Sequence, residues 1–328
     1  MKKYIVITSI NPPTEAVEKF SKLKDYNLIV VGDKKSPREF KLDNCEFLSI
    51  EKQVKSNFKL AQKLPFNHYS RKMLGYLEAI REGADIIVDT DDDNIPYGNW
   101  SFPDFEGYYD SLNHSGFINI YKLFTEDKIW PRGLPLSLIN DKRDLSSSIQ
   151  KTLCHVGIWQ GLADEDPDVD AIYRLTNNSP CFFNKRDPIV CKKGTLSPFN
   201  TQNTMIRKEL FPLLYLPSTV TFRYTDILRG LIAQPIMGLY GYELGFTSAT
   251  VLQKRNPHDY FKDFLSEIPM YETTEKVIEI TNDSISSQKD IGSNLISSYR
   301  ALRKEGIVRN SELEILNTWI EDINHILL

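Results

Sequence analysis

Residues 86–96 read IIVDTDDDNIP: three β-branched apolar residues run into four aspartates within five positions, and a proline closes the stretch. Such a run is a buried strand. Carboxylates this close repel, and the repulsion grows as water is excluded. The fold must therefore bring this strand end to a place where a cation, cationic side chains or solvent offsets the charge. A parallel α/β sheet does this, because ligand sites collect at the carboxyl ends of its strands.

The flanking pattern agrees. Residues 3–10 form an apolar run ending in Thr8-Ser9, and residues 27–31, NLIVV, stop at Gly32-Asp33. Between them residues 14–24 have helical spacing behind Thr14, a suitable N-cap. Residues 69–82 predict a helix leading into a strand at 84–88. Strands alternating with helices predict a parallel sheet covered on both faces. Three polar strand ends (Thr8-Ser9, Asp33 and Asp91–Asp93) then converge on one edge. No glycine-rich phosphate loop follows the first strand, which argues against dinucleotide and P-loop folds.

Further along, residues 116–121 and 171–175 read as strands, with 131–135 and 177–188 as loops over the sheet. Near the end, Ser311 and Glu314 form a capping box. Leu313, Leu316, Ile320, Ile323 and Leu327 then follow amphipathic helical spacing. This helix is expected to pack on the domain, with a homodimer seam as the alternative.

A chain of 328 residues with 41% hydrophobic content can build one large domain, or a domain with an appendage. The formal net charge of -4 gives no support to nucleic-acid or anionic-membrane binding. The opening MKKYIVITSI breaks at Asn11-Pro12-Pro13 and reads as a strand rather than a signal peptide. No stretch approaches the roughly 20 apolar residues of a membrane span. Cys45, Cys154, Cys181 and Cys191 lack metal-type spacing and suit reduced thiols, so a cytoplasmic location is expected.

The chemistry of Asp91-Asp92-Asp93 suits a hard divalent cation, Mn²⁺ or Mg²⁺, that keeps waters and phosphate oxygens as further ligands. Such an ion can neutralise a leaving diphosphate. A solvated acidic turn is the alternative. A calcium loop is disfavoured, because no glutamate stands at the twelfth position with a glycine at the sixth.

Four segments in order, GYLEAIREGADIIVDTDDDNIP, GIWQGLADEDPDVDA, PFNTQNT and TDILRGLIAQPIMGLYGY, resemble the glycosyltransferase domain of the STELLO proteins. More distantly they are similar to the reversibly glycosylated polypeptides, the UDP-arabinopyranose mutases. The resemblance spans roughly residues 4–265. It implies an α/β GT-A fold, of the Rossmann-like nucleotide-diphospho-sugar transferase kind. That means a mostly parallel central sheet with flanking helices over residues 1–265. Residues 266–328 would form a C-terminal helical appendage packing on it.

The resemblance also implies roles. Asp91 and Asp93 would hold the metal, with Asp91 and Asp92 near the nucleotide. Thr8, Ser9 and Asp33 would lie beside the base and ribose, and Arg71, with Lys72 next to it, near the diphosphate. Trp159 would offer an aromatic face to a sugar, and Asp164 and Asp166 would accept hydroxyl protons, while Asp168 and Asp170 are expected in solvent. Asn203 would meet the donor sugar. Asp226, opening an apparent helix, would be the catalytic base, or else a helix-terminal carboxylate. Two departures stand out. LPLSLIND puts Ile139 where the mutases carry a glycosylated arginine, and VLQKRNPHDY offers His258 as the late histidine available to a metal.

The expectation is a Mn²⁺- or Mg²⁺-dependent glycosyltransferase using a UDP-sugar, with a glycan, lipid-linked or small-molecule acceptor. The alternatives are a nucleotide-sugar mutase and a non-catalytic nucleotide-binding partner protein.

Overall fold

The computed structural model describes residues 1–255 and 258–327. Its strands are β1 (Lys3–Thr8), β2 (Asn27–Val31), β3 (Cys45–Leu48), β4 (Ile86–Thr90), β5 (Asn94–Pro96), β6 (Glu106–Leu112), β7 (Gly116–Phe117), β8 (Ile149–Glu165), β9 (Ile189–Cys191), β10 (Thr195–Leu196), β11 (Asn203–Arg207) and β12 (Glu243–Gln253). Its helices are α1 (Glu15–Phe20), α2 (Ile50–Lys55), α3 (Leu60–Lys63), α4 (Lys72–Arg81), α5 (Ala171–Thr176), α6 (Thr225–Leu239), α7 (Tyr260–Ser284), α8 (Ile291–Lys304) and α9 (Asn310–Leu327).

One large mixed sheet carries the strand order β3-β2-β1-β4-β11-β8-β6-β9-β12-β5. The first four strands are parallel throughout. Antiparallel β11 joins this half to the mixed remainder. Long β8 connects the far strands: residues 149–155 pair with β6 and residues 156–165 with β12.

Alternation along each parallel strand builds two core layers. Tyr4, Val6, Ile29, Val31 and Ile87 face one layer with Leu74 and Leu77 of α4. Ile5, Ile7, Leu28, Val30, Ile86 and Val88 face the other with Val17 and Phe20 of α1. Gly75 lets α4 lie close, since a Cβ there would fall 2.6 Å from Val6 and Val31. As expected, Thr14 caps α1, accepting from Val17 N at 3.3 Å.

The C-terminal helices share the first layer. Leu316, Trp319 and Ile323 of α9 are buried there, so the middle of its apolar stripe is covered within the chain, while Leu327 is exposed. Asp322 accepts from Lys59 N (3.1 Å) and Leu60 N (2.9 Å), capping α3, which lacks a side-chain cap of its own. Ser311 falls inside the first turn of α9 rather than before it. No helix of the described residues is long and apolar enough to cross a membrane.

Two strand expectations fail. Residues 171–175 are helix α5, because Asp170 caps it through Tyr173 N at 2.9 Å; so short an apolar run carries too little periodicity to tell strand from helix. Residues 116–121 form a strand only at Gly116–Phe117 before turning into a 3₁₀ helix over Ile120–Leu123.

Candidate active site

The carboxyl ends of β1, β2 and β4 open into a cleft of about 590 Å³. Its first wall carries the acidic run that ends β4. Asp89 is fully buried and doubly paired: Lys72 Nζ lies 2.6 Å from Oδ1 and Arg229 Nη1 2.7 Å from Oδ2. Asp91 Oδ1 accepts from Tyr69 OH (2.7 Å) and Lys72 Nζ (3.0 Å). Asp92 Oδ2 accepts from Ser9 Oγ (2.5 Å) and Asn11 Nδ2 (3.1 Å).

Asp93 is different. Its Oδ2 accepts from Gln253 Nε2 at 3.2 Å, but Oδ1 is buried with no partner among the described residues. Burial, and then the charge of Asp91, push this carboxyl up to about 7. Burial also raises Asp91, though Lys72 and Tyr69 oppose it. For Lys72 burial alone would lower the pKa, but Asp89 and Asp91 outweigh it, so the ammonium stays charged.

The donor set fits a divalent cation only in part. Among the described residues no three His, Cys, Asp or Glu side chains are grouped to hold an ion. His258 lines the cleft, but its Nδ1 lies 3.1 Å from Asp263 Oδ2. Asp91 and Asp93 would therefore supply two carboxylates, with water and phosphate oxygens completing the shell, as Mg²⁺ and Mn²⁺ accept. The orphaned buried Oδ1 of Asp93 is the feature such an ion would satisfy.

The second wall is a buried ionic network. Arg132 directs Nε (2.9 Å) and Nη2 (2.8 Å) to Asp168, and Nη1 (3.0 Å) and Nη2 (2.9 Å) to Asp226. Burial would raise Asp168, but Arg132 and Arg223 overcome that and hold it down to about 2. Arg223 donates Nε to Glu267 Oε1 of α7 at 2.8 Å, and Glu267 Oε2 accepts from Ala171 N at 2.7 Å. Helix α7 thus holds both segments that carry cleft carboxylates. Two hydroxyls join the walls: Tyr69 OH lies 2.6 Å from Thr201 Oγ1, which donates to Asp226 Oδ2 at 3.4 Å.

A family model described as STELLO glycosyltransferases matches residues 223–328, which include Asp226 and all three C-terminal helices. Two Arabidopsis thaliana proteins, probable glycosyltransferases STELLO1 and STELLO2, are each 24% identical to the chain, over 345 and 343 residues. The chain is similar to the STELLO glycosyltransferases. Each alignment covers 98% of this chain but 44% of the relative, so the chain spans less than half the length of either. A solved structure titled "Crystal Structure of a Mycobacterial Protein" aligns over 87% of this chain and 76% of its own, with 11% identity and a TM-score of 0.38.

Of the residues suggested by the STELLO resemblance, Thr8, Ser9, Asp33, Arg71, Asp91, Asp92, Asp93 and Asp226 all line the cleft. Asp33 has both oxygens engaged by backbone, from Lys34 N (2.7 Å) and His68 N (3.2 Å). Arg71 is not a free cation: Nε (2.9 Å) and Nη2 (2.6 Å) donate to Gln53 Oε1, and Nη1 to Leu64 O at 3.1 Å. It supports the wall from behind, because Gln53 in turn donates to Gly32 O and Leu48 O. Asp226 lies in the first turn of α6 and makes no capping bond, since its oxygens go to Arg132 and Thr201.

Four residues lie outside the cleft lining. Trp159 is a core residue with no exposed surface, donating to Asp104 O; a Cβ on Gly245 would fall 2.3 Å from its ring. Asn203 is sealed between Trp100 Nε1 and Thr250 Oγ1, while its neighbours Asn200, Thr201 and Gln202 reach the cleft. Asp164 accepts from Tyr97 OH and Phe183 N, and Asp166 pairs with Arg174. Asp168 and Asp170, expected in solvent, are buried instead, at the Arg132 fork and the α5 N-cap. Sequence reasoning missed Tyr69, Arg132 and Arg255. Arg132 left one signal: a lone arginine inside the apolar loop WPRGLP.

Proposed function

We propose that this chain is the catalytic domain of a metal-assisted glycosyltransferase of GT-A type that takes its sugar from a UDP-sugar. One observation carries the reading: the buried, partner-short Asp93 beside Asp91, at the edge where three parallel strands end. The similarity to the STELLO glycosyltransferases supports the same reaction class. The four unpaired cysteines are compatible with a cytoplasmic setting.

When bound, Mn²⁺ or Mg²⁺ would neutralise charge developing on the departing diphosphate. Lys72 and Tyr69 hold Asp91 in place for that ion, and Ser9 and Asn11 fix Asp92. The turn at Asp33 and the end of β1 form the nucleoside side of the cleft. Asp226 is the group proposed to take the acceptor hydroxyl's proton, with Arg132 and Thr201 orienting its carboxylate. Ile139 is partly buried against the core, and as an isoleucine it cannot carry the covalent sugar of the mutase reading.

The test is incubation with a panel of UDP-sugars, with Mn²⁺ or with EDTA, following UDP release and sugar ring form. Metal-dependent UDP release is expected. Asp226→Asn should lower turnover by about two to four orders of magnitude while leaving UDP affinity intact. A changed ring with UDP retained would select the mutase, and binding without turnover would select a non-catalytic role.

A further inference from the structure

Withdrawing Arg71 leaves the proposed diphosphate without its cation, and the cleft offers few replacements. Arg132 is saturated by Asp168, Asp226 and Arg223 O. Arg223 is engaged by Glu267 and Val169 O. Lys35 lines the cleft but is exposed on the Asp33 turn, where a solvated ammonium gains little from an anion.

Arg255 is unlike these. It lines the cleft, and its side chain is only 7% exposed. Its Nε is buried without a hydrogen-bond partner among the described residues, and its closest carboxylate is Asp263 Oδ2, 3.6 Å from Nη2. Guanidinium groups are costly to bury half-satisfied. The position also matters: Gln253 Nε2 and Lys254 N, just before it, donate to Asp93 Oδ2 and Asp93 O. Arg255 therefore sits at the rim of the acidic site, where phosphate oxygens shared with a cation at Asp91 and Asp93 would lie.

We propose that Arg255 is the phosphate-binding side chain of this cleft, donating to oxygens of the nucleotide diphosphate, an assignment that rests on the UDP-sugar reading above. A planar fork suits two phosphoryl oxygens. Burial first, and then the positive charges of Arg223 and Arg174, push its pKa down to about 10, with Asp168 and Asp166 opposing the shift. A bound anion relieves that repulsion and satisfies Nε in one step.

The experiment is calorimetry in Mn²⁺ with UDP, uridine and inorganic pyrophosphate, on the full chain and on Arg255→Met, Arg255→Lys and Lys35→Ala. Arg255→Met should weaken UDP and pyrophosphate by at least about tenfold and leave uridine within about twofold; Arg255→Lys should recover part of the loss. Because its one ionic contact among the described residues is the long approach to Asp263, Arg255→Met should melt with the parent, which thermal unfolding checks. Unchanged pyrophosphate affinity in Arg255→Met, or a loss carried by Lys35→Ala instead, would overturn the assignment. If the parent binds pyrophosphate through Arg255 but neither UDP nor uridine, the anion site stands and the nucleotide-sugar reading fails. A parent that binds neither pyrophosphate nor UDP removes both.

Discussion

Two acidic runs, residues 89–93 and 164–170, look alike as text and are treated in opposite ways by the fold. In the second run every aspartate has a dedicated partner. Tyr97 holds Asp164, Arg174 holds Asp166, Arg132 holds Asp168, and Trp130 with the α5 N-terminus holds Asp170. In the first run Asp89, Asp91 and Asp92 are similarly held, but Asp93 keeps a buried oxygen unmatched among the described residues. In the second run the paired charge holds the structure together. A buried carboxylate left short of partners is a place for something that is not part of the chain.

The sharpest way to break this contrast is to remove the partner of the satisfied run. Arg132→Met leaves Asp168 and Asp226 buried and uncompensated, and should cost about 3–5 kcal/mol in denaturant unfolding. A loss under about 1 kcal/mol would show that the pairing is not what holds the second run.

At the other run the sign reverses. A carboxyl raised above its unfolded value holds its proton more tightly in the folded chain, so its contribution to stability falls as pH climbs from about 4 to about 7. Metal-free Asp93→Asn should therefore be more stable than the parent above pH 7, by on the order of 1–2 kcal/mol, with the gain fading toward pH 4. In the same variant, the Mn²⁺ enhancement of UDP binding, expected to be at least about tenfold or about 1.4 kcal/mol in the parent, should vanish. Chemical unfolding across pH, and calorimetry with and without EDTA, measure the two halves. A variant less stable than the parent at pH 8 would contradict the unmatched oxygen.

The smallest effect is expected at Asp164→Asn. The side chain is half-buried, hydrogen-bonded to Tyr97 and Phe183 N, and outside the cleft lining. Stability should change by less than about 1 kcal/mol and UDP affinity by less than about twofold. A large loss of sugar-dependent turnover with UDP binding intact would return Asp164 to the sugar site.

Much of the cleft is legible in the sequence, because strand ends are local signals. Three β-type runs, each stopped by polar residues, determined where Thr8, Ser9, Asp33 and Asp91–Asp93 would lie, and parallel pairing brings them together. Asp226 was legible from its motif, and it lines the same cleft. Trp159 and Asn203 were not, since a strand residue's face depends on what packs across the sheet, here Gly245 for the tryptophan and Trp100 for the asparagine.

The sequence by itself determined that negative charge would be concentrated at the end of a buried strand, since that requires only local order. Tertiary structure alone decided which carboxylates would be neutralised. Asp168 meets Arg132 across 36 residues, Asp89 meets Arg229 across 140, and Asp93 meets Gln253 across 160. The same holds for the two arginines. Arg71 was satisfied by Gln53 of α2 and by the carbonyl of Leu64 just past α3, whereas Arg255, two residues beyond β12, keeps its Nε unmatched among the described residues. A side chain's charge is written in its residue type, but its free valence is what remains after distant neighbours have packed, and no spacing along the chain records that.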